Sequence, residues 1–205
     1  MERVEKSERS RRAVLDAALH LFSHQGFRGT TMREIADRAG VSTGNVYHHF
    51  PDKDAIFLEL VGEYMRLVDS PRFPFTRMLQ EAVQFPDNIE ELGFAARDSV
   101  RQYRAYFAIV YVDVIEFGGT HIRRLYADMA DRFSRAFNES GSVTSVQDRL
   151  RPNVSPTSAL LLTSRLFFSY FMLEILFGVE APFGKSSTEA VKEIADIIRN
   201  GICAR

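Results

Sequence analysis

A chain of 205 residues with 45% hydrophobic and 26% charged side chains has the makeup of an ordinary globular protein, large enough for a small domain joined to a larger one. Its single cysteine, Cys203, excludes an internal disulfide and a cysteine-rich zinc site, so nothing calls for an oxidising compartment. The formal charge of −1 is unevenly spread: nine Lys/Arg face seven Asp/Glu through Lys53, and seventeen face twenty after it.

The N-terminus, Met-Glu-Arg-Val-Glu-Lys-Ser-Glu-Arg, alternates charges without an apolar stretch, so no secretory signal is expected and the cytoplasm is the expected location. A first helix is expected from Arg9 to Gln25, with Val14, Leu15, Ala18, Leu19 and Phe22 on one stripe and Gly26 as its stop. Thr31 and Glu34 form a capping box that starts a second helix with Ile35, Ala36 and Ala39 inward. Gly40 ends it, because a residue without Cβ takes the left-handed conformation at little cost. Ser42 caps a third helix anchored by Val46 and Phe50, leaving Thr43, Asn45, Tyr47 and His48 outward. Two short helices around a glycine turn have the geometry that lets a helix enter a DNA major groove. A plain αα-corner would use Gly40 and Ser42 equally well, but has no need of the following Tyr-His-His-Phe-Pro-Asp-Lys. Adjacent helical residues point about 100° apart, so His48 and His49 do not suit a metal, and no metal or cofactor is expected.

Asp52 caps a fourth helix, carrying Ile56, Phe57, Leu60, Val61, Tyr64 and Leu67, that runs to Ser70-Pro71. Further helices are expected over Phe73 to Gln84, Ile89 to Arg101, Tyr103 to Phe117 and Ile122 to Asn138, with breaks at Phe85-Pro86-Asp87 and Gly118-Gly119. Ser140 to Pro156 reads as a loop, followed by an apolar helix from Ala159 to Phe177, a turn over Gly178 to Gly184, and a closing helix from Thr188 to about Ile202. Arg165 and Glu174 leave only Leu166 to Leu173 uncharged, short of the roughly 20 residues a bilayer requires, so no membrane is expected as a partner. The two C-terminal helices can instead form a four-helix bundle with a second copy, through Leu162, Leu166, Tyr170 and Phe171 on one and Val191, Ile194 and Ile198 on the other.

Tyr103, Tyr106, Phe107, Val110, Tyr111, Val114 and Phe117 crowd one helix with more aromatic surface than a single stripe requires. With Phe94, Phe167, Phe168 and Phe171 they could either fill a core or wall a site for a small, mostly apolar ligand. Two polar sets could set ligand charge: Asp113 with Glu116 for a cation, or Arg97, Arg101 and Arg104 for an anion. Neither a Gly-x-Ser-x-Gly elbow nor a phosphate-cradling glycine loop occurs, and His121 stands alone, so an enzyme is not expected.

Three segments together resemble the TetR family of transcriptional regulators: Ala-Leu-His-Leu-Phe-Ser-His-Gln-Gly-Phe, then Thr-Thr-Met-Arg-Glu-Ile-Ala, then Ala-Gly-Val-Ser-x-Gly-x-Val-Tyr-x-His-Phe-x-x-Lys. The likeness covers Ser10 to Phe57; beyond it only helix pattern and order agree. The resemblance implies an all-α fold: a three-helix helix-turn-helix DNA-binding head over 1–53, then an effector-binding and dimerisation domain over 54–205. It further implies a homodimeric repressor of a pseudo-palindromic operator, released by a small effector that tilts the fourth helix. On this chain, Thr43, Asn45 and His48 are the candidates at or near the bases, Thr31, Tyr47 and Lys53 are the phosphate candidates, and Ser42 and Gly44 complete the DNA-binding set. Thr43 stands where many relatives carry lysine, and Asn45, where Thr, Ser or Ala is usual, could pair bidentately with adenine.

Overall fold

The structure, a computed structural model, describes residues 2–79 and 84–203, with side chains from residue 4 onward. The fold is all-α: among the described residues the regular structure is helical apart from one isolated antiparallel bridge, Leu150 to Cys203. The chain divides into two compact units, one of residues up to Arg66 together with Ala105–Arg124, the other of Leu67–Arg104 with Leu125–Arg205.

In the first unit α1 (Glu2–Gln25) begins a full two turns before the expected Arg9. Its opening residues are helix formers without an apolar stripe, so periodicity gives no sign of them. Next come α2 (Met32–Ala39), α3 (Thr43–His49) and α4 (Lys53–Val68), which leaves the unit after Arg66. Val14, Leu15, Ala18, Phe22, Ile35, Ala36, Val46, Phe50, Ile56, Phe57 and Leu60 form their common core. The unit is larger than the expected 1–53 segment. It takes in most of the later aromatic helix α7 (Arg104–Phe117), whose Ile109 is buried in that same core. Phe22, Phe27, Phe57 and Phe117 meet there at ring separations of 4.8–5.7 Å, close enough for edge-on aromatic attraction. An aromatic set split by so many residues has no local pattern that would announce the pairing.

The second unit is built on α5 (Pro74–Leu79), α6 (Ile89–Gln102), α9 (Met129–Glu139), α11 (Pro156–Phe171) and α12 (Ser187–Ile202). The rest of the helix expected to reach Gln84 falls on residues 80–83, outside the described residues. The helix expected from Ile122 to Asn138 is two, α8 (Arg123–Ala127) and α9, with the break at Asp128. The expected loop carries a short helix, α10 (Val143–Gln147). Ser155 caps α11 by accepting from Ser158, and Pro156 occupies the first turn, where its missing N–H costs nothing. Past Phe171 the helix widens into a π turn over Met172–Leu176. Gly93 lets α6, α11 and α12 close together, since a Cβ there would sit 2.7 Å from Phe167 and 2.8 Å from Val191. The whole run Pro156–Leu176 is long and apolar enough to cross a membrane by length and composition alone. One side of it packs inward, with Phe167, Tyr170 and Phe171 inside, while Arg165 and Ser169 are exposed.

Candidate nucleic-acid interface

The α2–turn–α3 element is fixed by its caps. Thr31 accepts from Glu34 N at 3.2 Å, while the Glu34 carboxylate accepts the Thr31 N–H and hydroxyl at 2.7 Å each. Those hydrogen bonds hold the Glu34 carboxyl below the usual carboxylate range. Gly40, at φ 68°, donates its N–H to the carbonyls of Ala36 and Asp37, and Ser42 accepts from Asn45 N at 3.2 Å. Val46 and Phe50 are buried, so α3 presents Tyr47, 53% exposed, and His48 on the open side, with Thr43 half-buried beside them. Gly44 is exposed, and an added Cβ would meet nothing nearer than the Ser42 hydroxyl at 4.0 Å. The protein itself therefore has no steric need of glycine there, whereas a closely approaching DNA backbone would. A groove of about 450 Å³ runs between α3 and the start of α1, lined by residues including Lys6, Ser10, Ser42, Asn45, His48 and His49.

Three of the candidate contacts prove to be committed inside the head. Lys53 donates to the carbonyls of Phe27 at 2.7 Å and Thr30 at 2.6 Å and lies 4.3 Å from the Phe27 ring centroid, so it ties down the α1–α2 turn. The Thr31 hydroxyl proton is spent in the capping box. Asn45 turns its amide oxygen back to α1, where it accepts from the Ser10 hydroxyl, rather than presenting a free bidentate edge. The sequence put these polar residues on the correct element; what it could not show is that a lysine and an asparagine can satisfy neighbours from distant segments. His49 lies half-buried beneath His48, its Nε2 without a hydrogen-bond partner, and burial, then His48, then Arg11 push its pKa down.

The same unit holds polar links that the sequence reading missed. Glu116, near the end of α7, accepts the backbone N–H groups of Phe27 and Arg28 at 2.8 Å each, gripping the turn that Lys53 also holds. Tyr106 donates to Glu63 of α4 at 2.9 Å, and Arg12 of α1 bridges to the same carboxylate at 2.7 Å. Burial and the Glu63 carboxylate push the Tyr106 hydroxyl up to about 12. His121 is not alone: its Nδ1 is 2.6 Å from the buried Asp113, which also accepts the N–H of Ile122 at 3.1 Å. Asp113 and Glu116 are thus structural acceptors and not a cation site.

The proposed aromatic wall divides between the units. Tyr106, Phe107, Val110, Tyr111 and Val114 belong to the first, where Phe107 packs on Tyr64 and Val114 is half exposed. Phe94, Tyr103, Phe167, Phe168 and Phe171 belong to the second, and there Phe167 and Phe171 are fully buried core. Tyr103 and Phe168 stack on Phe73, and Phe168 meets Phe75 at 5.1 Å, giving a cluster in which Phe73 and Phe75 were not foreseen. Of the arginines suggested for an anion, Arg97 pairs with Asp98 and Arg104 donates to the carbonyls of Ile175 and Leu176.

The face expected to meet a second copy is also redrawn. Tyr170, Phe171, Val191, Ile194 and Ile198 are each no more than 6% exposed within one chain, so they are its core. Leu162 and Leu166 do remain outside, 51% and 43% exposed, and they continue along one helical edge to Leu173, with Phe177, Phe183 and Ile197 also exposed. Helical spacing alone shows that α11 and α12 are apolar on several sides, and it does not say which side packs inward.

Residues 14–60 match the family model described as bacterial regulatory proteins, tetR family. Over those residues the chain is similar to the DNA-binding head of that family. The HTH-type transcriptional repressor KstR2 of Mycobacterium tuberculosis is 38% identical over 87 residues, covering 38% of this chain and 44% of the relative. The match therefore spans less than half the length of that relative. Over the whole chain the likeness is one of fold: the structure of ketosteroid transcriptional regulator KstR2 of Mycobacterium tuberculosis superposes with a TM-score of 0.58 at 17% identity, covering 95% of each chain. NalD, the secondary repressor of the MexAB-OprM multidrug efflux pump in Pseudomonas aeruginosa, does so at 0.61 and 22%, covering 96% of this chain and 98% of its own.

Proposed function

We propose that the protein is a transcriptional repressor that binds a pseudo-palindromic DNA operator as a homodimer and is released by a small, mostly apolar or aromatic effector. The observation that carries the reading is the exposed end of α3, with Tyr47, His48 and Gly44 held in place by the Gly40 turn and the Ser42 cap, in a head that matches the TetR model. Recognition helices of two copies must lie about 34–36 Å apart to enter successive major grooves. The exposed Leu162–Leu166–Leu173 edge supports the pairing of copies, since monomers rarely leave such apolar stretches open. The cluster of Phe73, Phe75, Tyr103 and Phe168 supports an aromatic or apolar effector, and such a function belongs in the cytoplasm with the operator.

An effector would act through α4 and α7. Tyr106, Glu63 and Arg12 join α7, α4 and α1, and Glu116 joins α7 to the turn ahead of α2, so a shift of either helix is felt by the recognition element. The test is selection of the purified protein on randomised DNA duplexes. Enrichment of an inverted repeat is expected, and failure to enrich any sequence would overturn the reading.

A further inference from the structure

We infer that Ser10 of α1 sets which base Asn45 reads, by holding the asparagine as a hydrogen-bond donor and so favouring guanine over adenine. The inference rests on the operator-binding reading above and specifies it at one position. Asn45 lies in the first turn of α3, half-buried on the groove between α3 and α1, and its Oδ1 accepts the hydroxyl proton of Ser10, thirty-five residues earlier.

An asparagine amide carries one acceptor oxygen and two N–H donors. An asparagine pairs bidentately with adenine in the major groove when both ends work together, Oδ1 accepting from N6–H while Nδ2–H donates to N7. In this head the oxygen is directed to α1, where Ser10 takes one of its two lone pairs, so the NH2 group is the end left to turn toward the DNA. Guanine offers two acceptors, N7 and O6, and suits that donor edge. Adenine offers N7 alone and sets its own N6–H donors against those of the amide. Ser10 needs no contact with DNA to have this effect. It is a positioning residue, and the Ser42 cap that bonds the Asn45 N–H fixes the backbone from which the amide is aimed.

The experiment is base-preference profiling of the full-length protein on randomised duplexes, comparing wild type with Ser10→Ala, Ser10→Thr and Asn45→Ala. The position Asn45 reads is the one at which Asn45→Ala flattens the preference. There the wild type is expected to favour guanine, Ser10→Ala to move the guanine-to-adenine ratio toward adenine by roughly 5- to 100-fold, and Ser10→Thr, which keeps the hydroxyl, to retain the wild-type profile. Alanine is a good helix residue, so the fold of α1 is not at stake in Ser10→Ala. A Ser10→Ala profile identical to wild type would overturn the inference while leaving operator binding intact, as would a profile that Asn45→Ala leaves unchanged. Enrichment of no sequence by the wild type would overturn the operator reading and this inference with it.

Discussion

The outward side of α3 and the outward side of α11 differ in kind. On α3 the apolar residues Val46 and Phe50 are consumed by the head, and polar or amphipathic groups, His48 and Tyr47, are left over. On α11 the apolar residues exceed what the core can take, so Leu162 and Leu166 stay outside with Phe167, Tyr170 and Phe171 already buried. The first surface suits a hydrated, charged partner, and the second suits another apolar surface. Which residues act outward is decided by what the core has already claimed.

Two substitutions on α11 test that contrast with the largest effect. Phe171→Glu places an unpaired charge in the core and should cost more than about 4 kcal/mol, so circular dichroism should show an unfolded chain. Leu166→Glu, on the outward edge, should leave the helical signal intact and turn the dimer into a folded monomer in sedimentation. Folded monomers from both would show that the core and the interface are not distinct faces.

In the head the sharper contrast is between residues that hold the fold and residues left for DNA. Lys53→Ala should lower stability by about 2 kcal/mol, because two turn carbonyls lose a charged donor. It should also leave the salt dependence of DNA binding unchanged, whereas loss of a phosphate contact would lower the slope by about one unit. Glu116→Ala should cost about 1–2 kcal/mol and speed hydrogen exchange at the Phe27 and Arg28 amides, which lose their acceptor. Unchanged exchange would remove α7 from any part in holding the turn.

The smallest effect concerns pH. The folded head prefers neutral His49, so its pKa lies below the ordinary value and the unfolded chain takes up the proton first. The stabilisation is fully present above the ordinary histidine pKa of about 6.5 and is lost as pH falls through the lower, folded value. The gap in melting temperature between wild type and His49→Gln should therefore shift against the wild type on going from about pH 7.5 to 5.5. A constant gap would show that burial does not perturb this ring.

What the sequence revealed follows the range of the interactions involved. Capping boxes, the Gly40 turn and the α1 stripe are local, and Thr31, Glu34, Gly40 and Ser42 are found in the expected roles. Contacts that span the chain left no trace: Glu116 with Phe27 and Arg28, Lys53 with Phe27 and Thr30, and Ser10 with Asn45. Aromatic content looks the same in a core as in a pocket, so the sequence of α7 leaves both readings open, and Phe107 and Ile109 are core. The choice of buried side on α11 and α12 depended on Gly93, whose missing side chain admits Phe167 and Val191.

Hydroxyl-radical footprinting of the protein on its selected duplex tests the central claim most directly, namely that two heads carried by one dimer each place the exposed end of α3 in a major groove. The account predicts two symmetric protected patches about one helical turn apart, both lost together in Leu166→Glu at concentrations where the wild type protects. A single patch, or two patches that persist in a proven Leu166→Glu monomer at the same concentration, would contradict it.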